Sequence, residues 1–136
     1  MAGNKVNETQ LQIEELKKKI LPGYWQSVDV DEGWYQIVLD CDRELTQIDP
    51  SYQIVQIKQK FGGLRYYFES SPLLGTRKAM DDVVAKYEAV AAVTCEATGN
   101  PGVLMKSEGG CVKTLDPEYA SSTSHYGTYA VVTQHP

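Results

Sequence analysis

The residues best suited to binding chemistry lie in one stretch, residues 57–68, where basic side chains and aromatic rings surround a Gly-Gly pair. Lys and Arg bind phosphate, aromatic rings stack on a purine, and a glycine turn lets backbone amides approach an anion. The stretch therefore predicts a site for a small phosphorylated nucleotide. The predicted ligand-binding residues are Lys58, Lys60, Phe61, Gly62, Gly63, Arg65, Tyr66 and Tyr67. The alternative is a hairpin whose aromatic rings belong to the core and whose cations pair with the acidic second helix.

Catalytic and metal chemistry has little support in the rest of the sequence. Both histidines, His125 and His135, lie in the last twelve residues, so the body of the domain has no imidazole for acid/base catalysis. Cys41, Cys95 and Cys111 are widely spaced, which gives no disulfide framework and is typical of a reducing compartment. We therefore expect no catalytic residue, no cofactor and no enzymatic activity.

Acidic residues are concentrated just before the basic stretch. Their spacing does not match an EF-hand loop, and several stand where helix caps and solvent-facing helix positions need polar groups. A solvated helix face is the interpretation we favour over a cation site. It also provides an alternative function, in which the acidic helix and exposed aromatic rings inhibit a host protein by direct contact. The acidic residues are Asp29, Asp31, Glu32, Asp40, Asp42, Glu44 and Asp49.

The charge balance restricts the class of partner. The 136 residues include 13 Lys and Arg against 18 Asp and Glu, a net charge of −5 that argues against long nucleic acid. Residues 31–50 carry six carboxylates and one cation, whereas residues 51–70 carry three cations and one carboxylate. A small nucleotide at the basic stretch thus remains compatible with the acidic chain. No apolar run suggests a membrane span or signal peptide, so we expect a cytoplasmic protein without a membrane partner.

Hydrophobic periodicity predicts the elements that must position these residues. Helices are expected over residues 7–20, 32–48 and 76–94, and hairpins over 52–69 and 103–115. The buried stripe of the third helix is expected at Met80, Val83, Val84, Tyr87, Val90 and Ala91. In the strand at 64–69, alternation places Leu64, Tyr66 and Phe68 on a packing face and Arg65, Tyr67 and Glu69 on an available face. The predicted fold class is α+β, with three helices packed on a β-hairpin sheet. We expect one domain over residues 1–120, with the first helix within 1–22.

The last segment, residues 121–136, contains no Lys, Arg, Asp or Glu. Strand-like residues at 128–133 leave two interpretations open: a disordered tail, or an added strand that pairs within the chain or with a neighbouring subunit. Pairing with a neighbouring subunit predicts a homo-oligomer.

A family resemblance rests on two parts of the chain: the stretch from Ile57 to Tyr67, and a turn region that begins at Cys95. Across roughly residues 21–120 the sequence resembles a functionally uncharacterised family of small tailed-bacteriophage proteins, whose hallmark stretch precedes a zinc-ribbon-like unit. The four ribbon ligand positions here hold Cys95, Thr98, Asp116 and Tyr119. One Cys and one Asp cannot complete a structural zinc site. The resemblance therefore implies a degenerate zinc-ribbon-like hairpin at residues 95–120 with no zinc.

The resemblance also implies a setting and a role. A phage protein of this kind works in the host cytoplasm and acts by blocking a host protein or capturing a host signal. Combined with the basic stretch, this predicts a phage-type non-catalytic binding protein that sequesters a small phosphorylated nucleotide immune signal, an anti-defence sponge. The inhibitor of a host protein remains the alternative.

Overall fold

The computed structural model describes residues 2–71, 75–122 and 128–132. A short 3-10 helix at Glu32–Trp34 precedes the second α-helix. None of the described helices is long and apolar enough to cross a membrane. The elements in chain order are α1 (Ala2–Lys17), β1 (Val28–Asp29), α2 (Tyr35–Ile48), β2 (Gln53–Lys60), β3 (Gly63–Glu69), α3 (Arg77–Ala91), β4 (Val103–Ser107), β5 (Val112–Leu115), α4 (Pro117–Ser122) and β6 (Tyr129–Val131).

The first sheet has the order β1-β2-β3, with β1 parallel and β3 antiparallel to β2. The apolar stripes of α1, α2 and α3 pack with the inner face of this sheet in one core. Leu64, Tyr66 and Phe68 point into that core while Arg65 and Tyr67 lie on the opposite face, so the predicted alternation is confirmed. The α+β class is confirmed as well. The principal core residues are Ile13, Leu16, Trp34, Ile37, Val38, Leu45, Ile54, Ile57, Leu64, Phe68 and Met80.

The helix boundaries differ from the predicted ones where tertiary pairing replaces the helical pattern. The first helix ends at Lys17 rather than residue 20 because the following residues pair with β2, where Ile54 N donates to Lys19 O at 2.9 Å and Leu21 N donates to Ile54 O at 2.8 Å. The third helix ends at Ala91 rather than residue 94, and Val90, predicted for its buried stripe, is exposed.

The second sheet has the order β5-β4-β6 and covers a separate small core. The C-terminal hairpin is therefore part of a three-stranded sheet, and β6 pairs antiparallel with β4 of the same chain. Among the described residues, its buried hydrophobic members are Cys95, Met105, Leu115, Ala120 and Tyr129, with the partly buried Ala97 packed against them.

The turn of the first hairpin joins the two sheets. Phe61 and Gly62 both have positive φ, 54° and 81°, as a two-residue turn of a twisted hairpin requires. Gly62 N donates to Gln59 Oε1 at 2.6 Å, and Thr114 Oγ1 donates to Gly62 O at 2.7 Å. A Cβ at Gly62 would lie 2.4 Å from Leu104 Cδ1. The glycine is needed for close contact with the second sheet. Its amide is not available to an anion because it already donates to Gln59.

A second contact between the two parts lies at the start of α2. Trp34 Nε1 donates to Thr94 O at 2.8 Å, and a Cβ at Gly33 would lie 2.4 Å from the carbonyl oxygens of Cys95 and Glu96. Asp31 N donates to Glu96 Oε2 at 3.0 Å. Burial raises the pKa of the Glu96 carboxyl, which is 2% exposed. The joint thus combines close main-chain packing with buried polar contacts.

Candidate functional site

The outer face of the first sheet brings the predicted cations together. Lys58 lies directly opposite Arg65 in the β2–β3 register, and residues directly opposite each other project from the same face of a sheet. Lys60 is two residues further along β2 and therefore shares that face. Asp29 of β1 is the neighbour of Lys58 on the other side, and its Oδ2 accepts a hydrogen bond from Ser27 Oγ at 3.1 Å.

These cations differ from most others in the chain because no carboxylate among the described residues lies close enough to pair with them. Among the described residues, Lys58, Lys60 and Arg65 form no ion pair within 4 Å. Arg65 attracts Glu88 of α3, which partly opposes the rise that burial causes in the pKa of that carboxyl. Like charges directly opposite each other destabilise a sheet, so the Lys58–Arg65 repulsion is unfavourable, and Asp29 beside Lys58 and Glu88 near Arg65 offset part of it. Eight other cations do form ion pairs: Lys17, Lys18, Lys19, Arg43, Arg77, Lys78, Lys86 and Lys113.

Two predicted site residues lie outside this face. Tyr66 is only 2% exposed, and its hydroxyl lies 2.7 Å from the hydroxyl of Tyr52, which donates to Asp42 Oδ1. Burial raises the pKa of Tyr66 well above its usual value, as expected for a core phenol. Tyr66 therefore cannot stack on a ligand. Gly62 already has hydrogen-bond partners for its amide and its carbonyl, Gln59 and Thr114. Gly63 is half-buried as the first residue of β3.

The aromatic rings that remain are exposed. Phe61 is 72% exposed at the hairpin turn and Tyr67 is 47% exposed on the outer face. Phe61 holds a left-handed backbone conformation, which is a genuine outlier for a bulky residue, and Lys60 Nζ lies 5.6 Å from the centroid of its ring. The outer-face set is thus Lys58, Lys60, Arg65, Tyr67 and Phe61.

An open groove of about 450 Å³ adjoins this set between β3 and α3. The register shifts between Ile54 and Gln56, so Val55 is an additional residue in β2 and contributes to the groove. The pattern of α3 indicated only its buried stripe, and no local signal in the sequence could have placed its other face beside Tyr67. The lining residues include Val55, Tyr67, Glu69, Arg77, Asp81, Val84, Ala85 and Glu88.

The acidic second helix is largely neutralised within the molecule. Asp40 pairs with Arg43 at 3.1 Å, Asp42 with Lys19 at 2.8 Å, and Glu44 with Lys86 at 2.7 Å. Hydrogen bonds from Lys86 and Tyr87 lower the pKa of Glu44. These carboxylates thus pair within α2, with the segment that follows α1 and with α3, and among the described residues the hairpin cations form no ion pair with them.

The residues at the ribbon ligand positions have other partners. Thr98 Oγ1 accepts from Asn100 N at 3.2 Å, while Asp116 accepts from Asn100 Nδ2 at 3.3 Å and from Glu118 N at 3.0 Å. Cys95 is buried, and Cys111 is half-buried. Within residues 2–71, 75–122 and 128–132, no group of three or more His, Cys, Asp or Glu side chains is placed to hold a metal ion.

No protein-family model, curated protein or solved structure matches this chain. The resemblance to the phage family consequently stays a prediction, and the geometry of the outer face carries the functional argument.

Proposed function

We propose that the protein is a non-catalytic binder of a small phosphorylated nucleotide, held on the outer face of the first sheet. Lys58, Lys60 and Arg65 bind the phosphate, and the exposed ring of Tyr67 stacks on the base, while Phe61 lies beside Lys60 at the turn end of this face. The observation that carries this proposal is the Lys58–Arg65 pair, two cations directly opposite each other without an ion-pair partner among the described residues.

The opposed Lys58–Arg65 pair becomes favourable when an anion is bound between the two side chains. Directly opposed cross-strand pairs change stability by ~0.2–1 kcal/mol, and the sign is unfavourable for like charges. A phosphate between the two side chains converts repulsion into charge-assisted hydrogen bonds, which are roughly twice as strong as neutral ones.

Binding without turnover follows from the groups on this face. A catalytic site needs a nucleophile within hydrogen-bond reach of a base, or a metal that activates water. The outer-face set supplies cations, a phenol and a phenyl ring, which hold and neutralise a ligand. This composition supports capture rather than conversion.

The resemblance to the phage family supports the wider form of the proposal. In that form the protein sequesters an immune signal in the host cytoplasm and keeps a degenerate ribbon at residues 95–120. The alternative, inhibition of a host protein through the acidic helix, has weaker support because Asp40, Asp42 and Glu44 are paired internally.

The test measures ligand binding and the stability of the free protein in the same variants. Purified protein is titrated with nucleoside monophosphates, cyclic nucleotides and ADP-ribose derivatives, and the midpoint of thermal unfolding is recorded. We expect a saturable rise in the midpoint, because a ligand selective for the folded state stabilises it. Lys58→Gln should weaken binding tenfold or more while changing the stability of the free protein little, because it removes the repulsion by Arg65 together with the attraction by Asp29.

Lys78→Gln is the matched control, since Lys78 is exposed on α3 and pairs with Asp82 at 3.1 Å. It should leave binding unchanged and cost the free protein ~0.2–0.5 kcal/mol, as the loss of a helical ion pair does. Mass spectrometry of the released nucleotide should recover it unaltered. The proposal fails if none of these nucleotides shifts the unfolding midpoint, or if the nucleotide comes back chemically changed.

A further inference from the structure

The groove between β3 and α3 continues the proposed phosphate site. At one end Glu88 lies near Arg65 and the Tyr66 N–H. Burial raises the pKa of the Glu88 carboxyl, and these two groups oppose part of that rise. At the other end Arg77 Nη1 donates to Phe68 O at 3.4 Å and Arg77 Nε pairs with Asp81 at 3.1 Å. α3 therefore runs antiparallel to β3, and the groove between them starts beside the cations.

The lining of the groove suits a flat ring. Its apolar surface comes from Val55, Val84 and Ala85, and Tyr67 offers an aromatic face. The volume of about 450 Å³ lies within the range of small-ligand sites. Side chains two residues apart on a strand face are separated by ~7 Å, so the distance from Arg65 to Tyr67 is about the length that a ribose spans between a phosphate and a base. A phosphate at Arg65 and a base beside Tyr67 are therefore compatible in one nucleotide.

The polar groups along the groove are mainly acceptors. Glu69, Asp81 and Glu88 border it, and an ionised carboxylate accepts hydrogen bonds but donates none. Asp81 is engaged by Arg77. Glu88 lies at the Tyr66 N–H and forms no ion pair within 4 Å among the described residues, so its second oxygen and remaining lone pairs can accept from a ligand. A ring edge with adjacent N–H donors complements such a carboxylate, while a ring edge that presents an acceptor is repelled.

We propose that this groove receives the base of a guanine nucleotide, with the Glu88 carboxylate accepting hydrogen bonds from the N1–H and the N2 amino group. Guanine presents two adjacent donors, hypoxanthine presents one, and adenine presents one donor beside an acceptor. The inference rests on the proposed function, because the cations of the outer face hold the phosphate that places the base here.

The experiment is calorimetric titration of the full chain with the 5′-monophosphates of guanosine, inosine and adenosine. We expect guanosine monophosphate to bind at least tenfold more tightly than the other two. Glu88→Gln should remove this preference by weakening guanosine monophosphate tenfold, and should leave adenosine monophosphate binding unchanged, which also shows that the variant is folded. Asp82→Asn, on the exposed face of α3, is the control and should keep the wild-type order of affinities.

The outcomes separate the two proposals. Equal affinity for the three nucleotides, with sensitivity to Lys58→Gln, overturns the base assignment and leaves the phosphate site standing. An unchanged guanosine preference in Glu88→Gln overturns the role of that carboxylate. The absence of binding by all three, together with no shift from the wider nucleotide panel, overturns both the groove assignment and the proposed function.

Discussion

Gly33→Ala is the substitution that tests the joint between the two sheets most directly. The added Cβ would lie 2.4 Å from Cys95 O, 2.4 Å from Glu96 O and 2.6 Å from Gly99 N. All three are main-chain atoms, so no change of rotamer can relieve the overlap. Gly33 has no left-handed φ, and the effect is therefore steric rather than conformational.

The size of the effect follows from what the overlap would displace. Overpacking a tight site costs ~1–3 kcal/mol. Moving the segment from Cys95 to Gly99 outward would also disturb the Asp31–Glu96 and Trp34–Thr94 hydrogen bonds, each worth ~0.5–1.5 kcal/mol. We expect a loss of ~3 kcal/mol or more, a large part of the ~5–15 kcal/mol of a typical domain.

The assay is urea unfolding followed by tryptophan fluorescence, with Gly109→Ala as the matched control. Trp34 is fully buried at the joint and reports its loss. A Cβ at Gly109 would meet nothing closer than Ser107 Oγ at 3.9 Å, so that variant should be neutral or more stable by ~0.4–1 kcal/mol. A Gly33→Ala variant within ~0.5 kcal/mol of wild type, the range of innocuous surface changes, would refute the close approach described for this glycine.

Two further predictions concern ionisable groups. Burial raises the pKa of Glu96, while the hydrogen bond from Asp31 N and the charge of Lys113 oppose the rise and the Asp31 carboxylate adds to it. Wild-type stability should therefore fall as pH rises from the ordinary carboxyl pKa of 4.5 through the raised folded value. Glu96→Gln should flatten this dependence in urea unfolding at pH 5 and pH 8, and an unchanged slope would contradict the assignment. Native protein should show one thiol that reacts with a disulfide reagent, Cys111, while the two buried thiols react only after unfolding; three equally fast thiols would contradict their burial.

The parts of the fold that sequence predicts well are those with a local period. Alternation along β3 identified the buried and exposed sides correctly because side chains of a strand must alternate. The stripe of α3 was correct at Met80, Val84 and Ala91 for the corresponding helical reason. By contrast, the two-residue β1 and the six-residue α4 were missed, because their short segments show no clear periodicity.

The errors in the candidate site come from contacts that are distant in sequence. Gly62 was interpreted as an anion-binding turn, but Thr114, more than fifty residues later, covers it. Tyr66 was included for its aromatic ring although its position on the packing face already indicated burial. The groove beside Tyr67 depends on how α3 lies against β3, and residue spacing alone does not contain that arrangement.

The small size of the second core has a consequence for how the protein unfolds. The five buried hydrophobic residues of this core within the described part of the chain are too few to offset the conformational entropy of ordering three strands and a short helix. The second sheet therefore depends on Gly33, Gly62 and Trp34 of the first part, and the two sheets should melt in a single cooperative transition. A fragment that begins at Cys95 should be unfolded by itself, and a fragment that ends before it should expose the Trp34 surface that the second sheet covers.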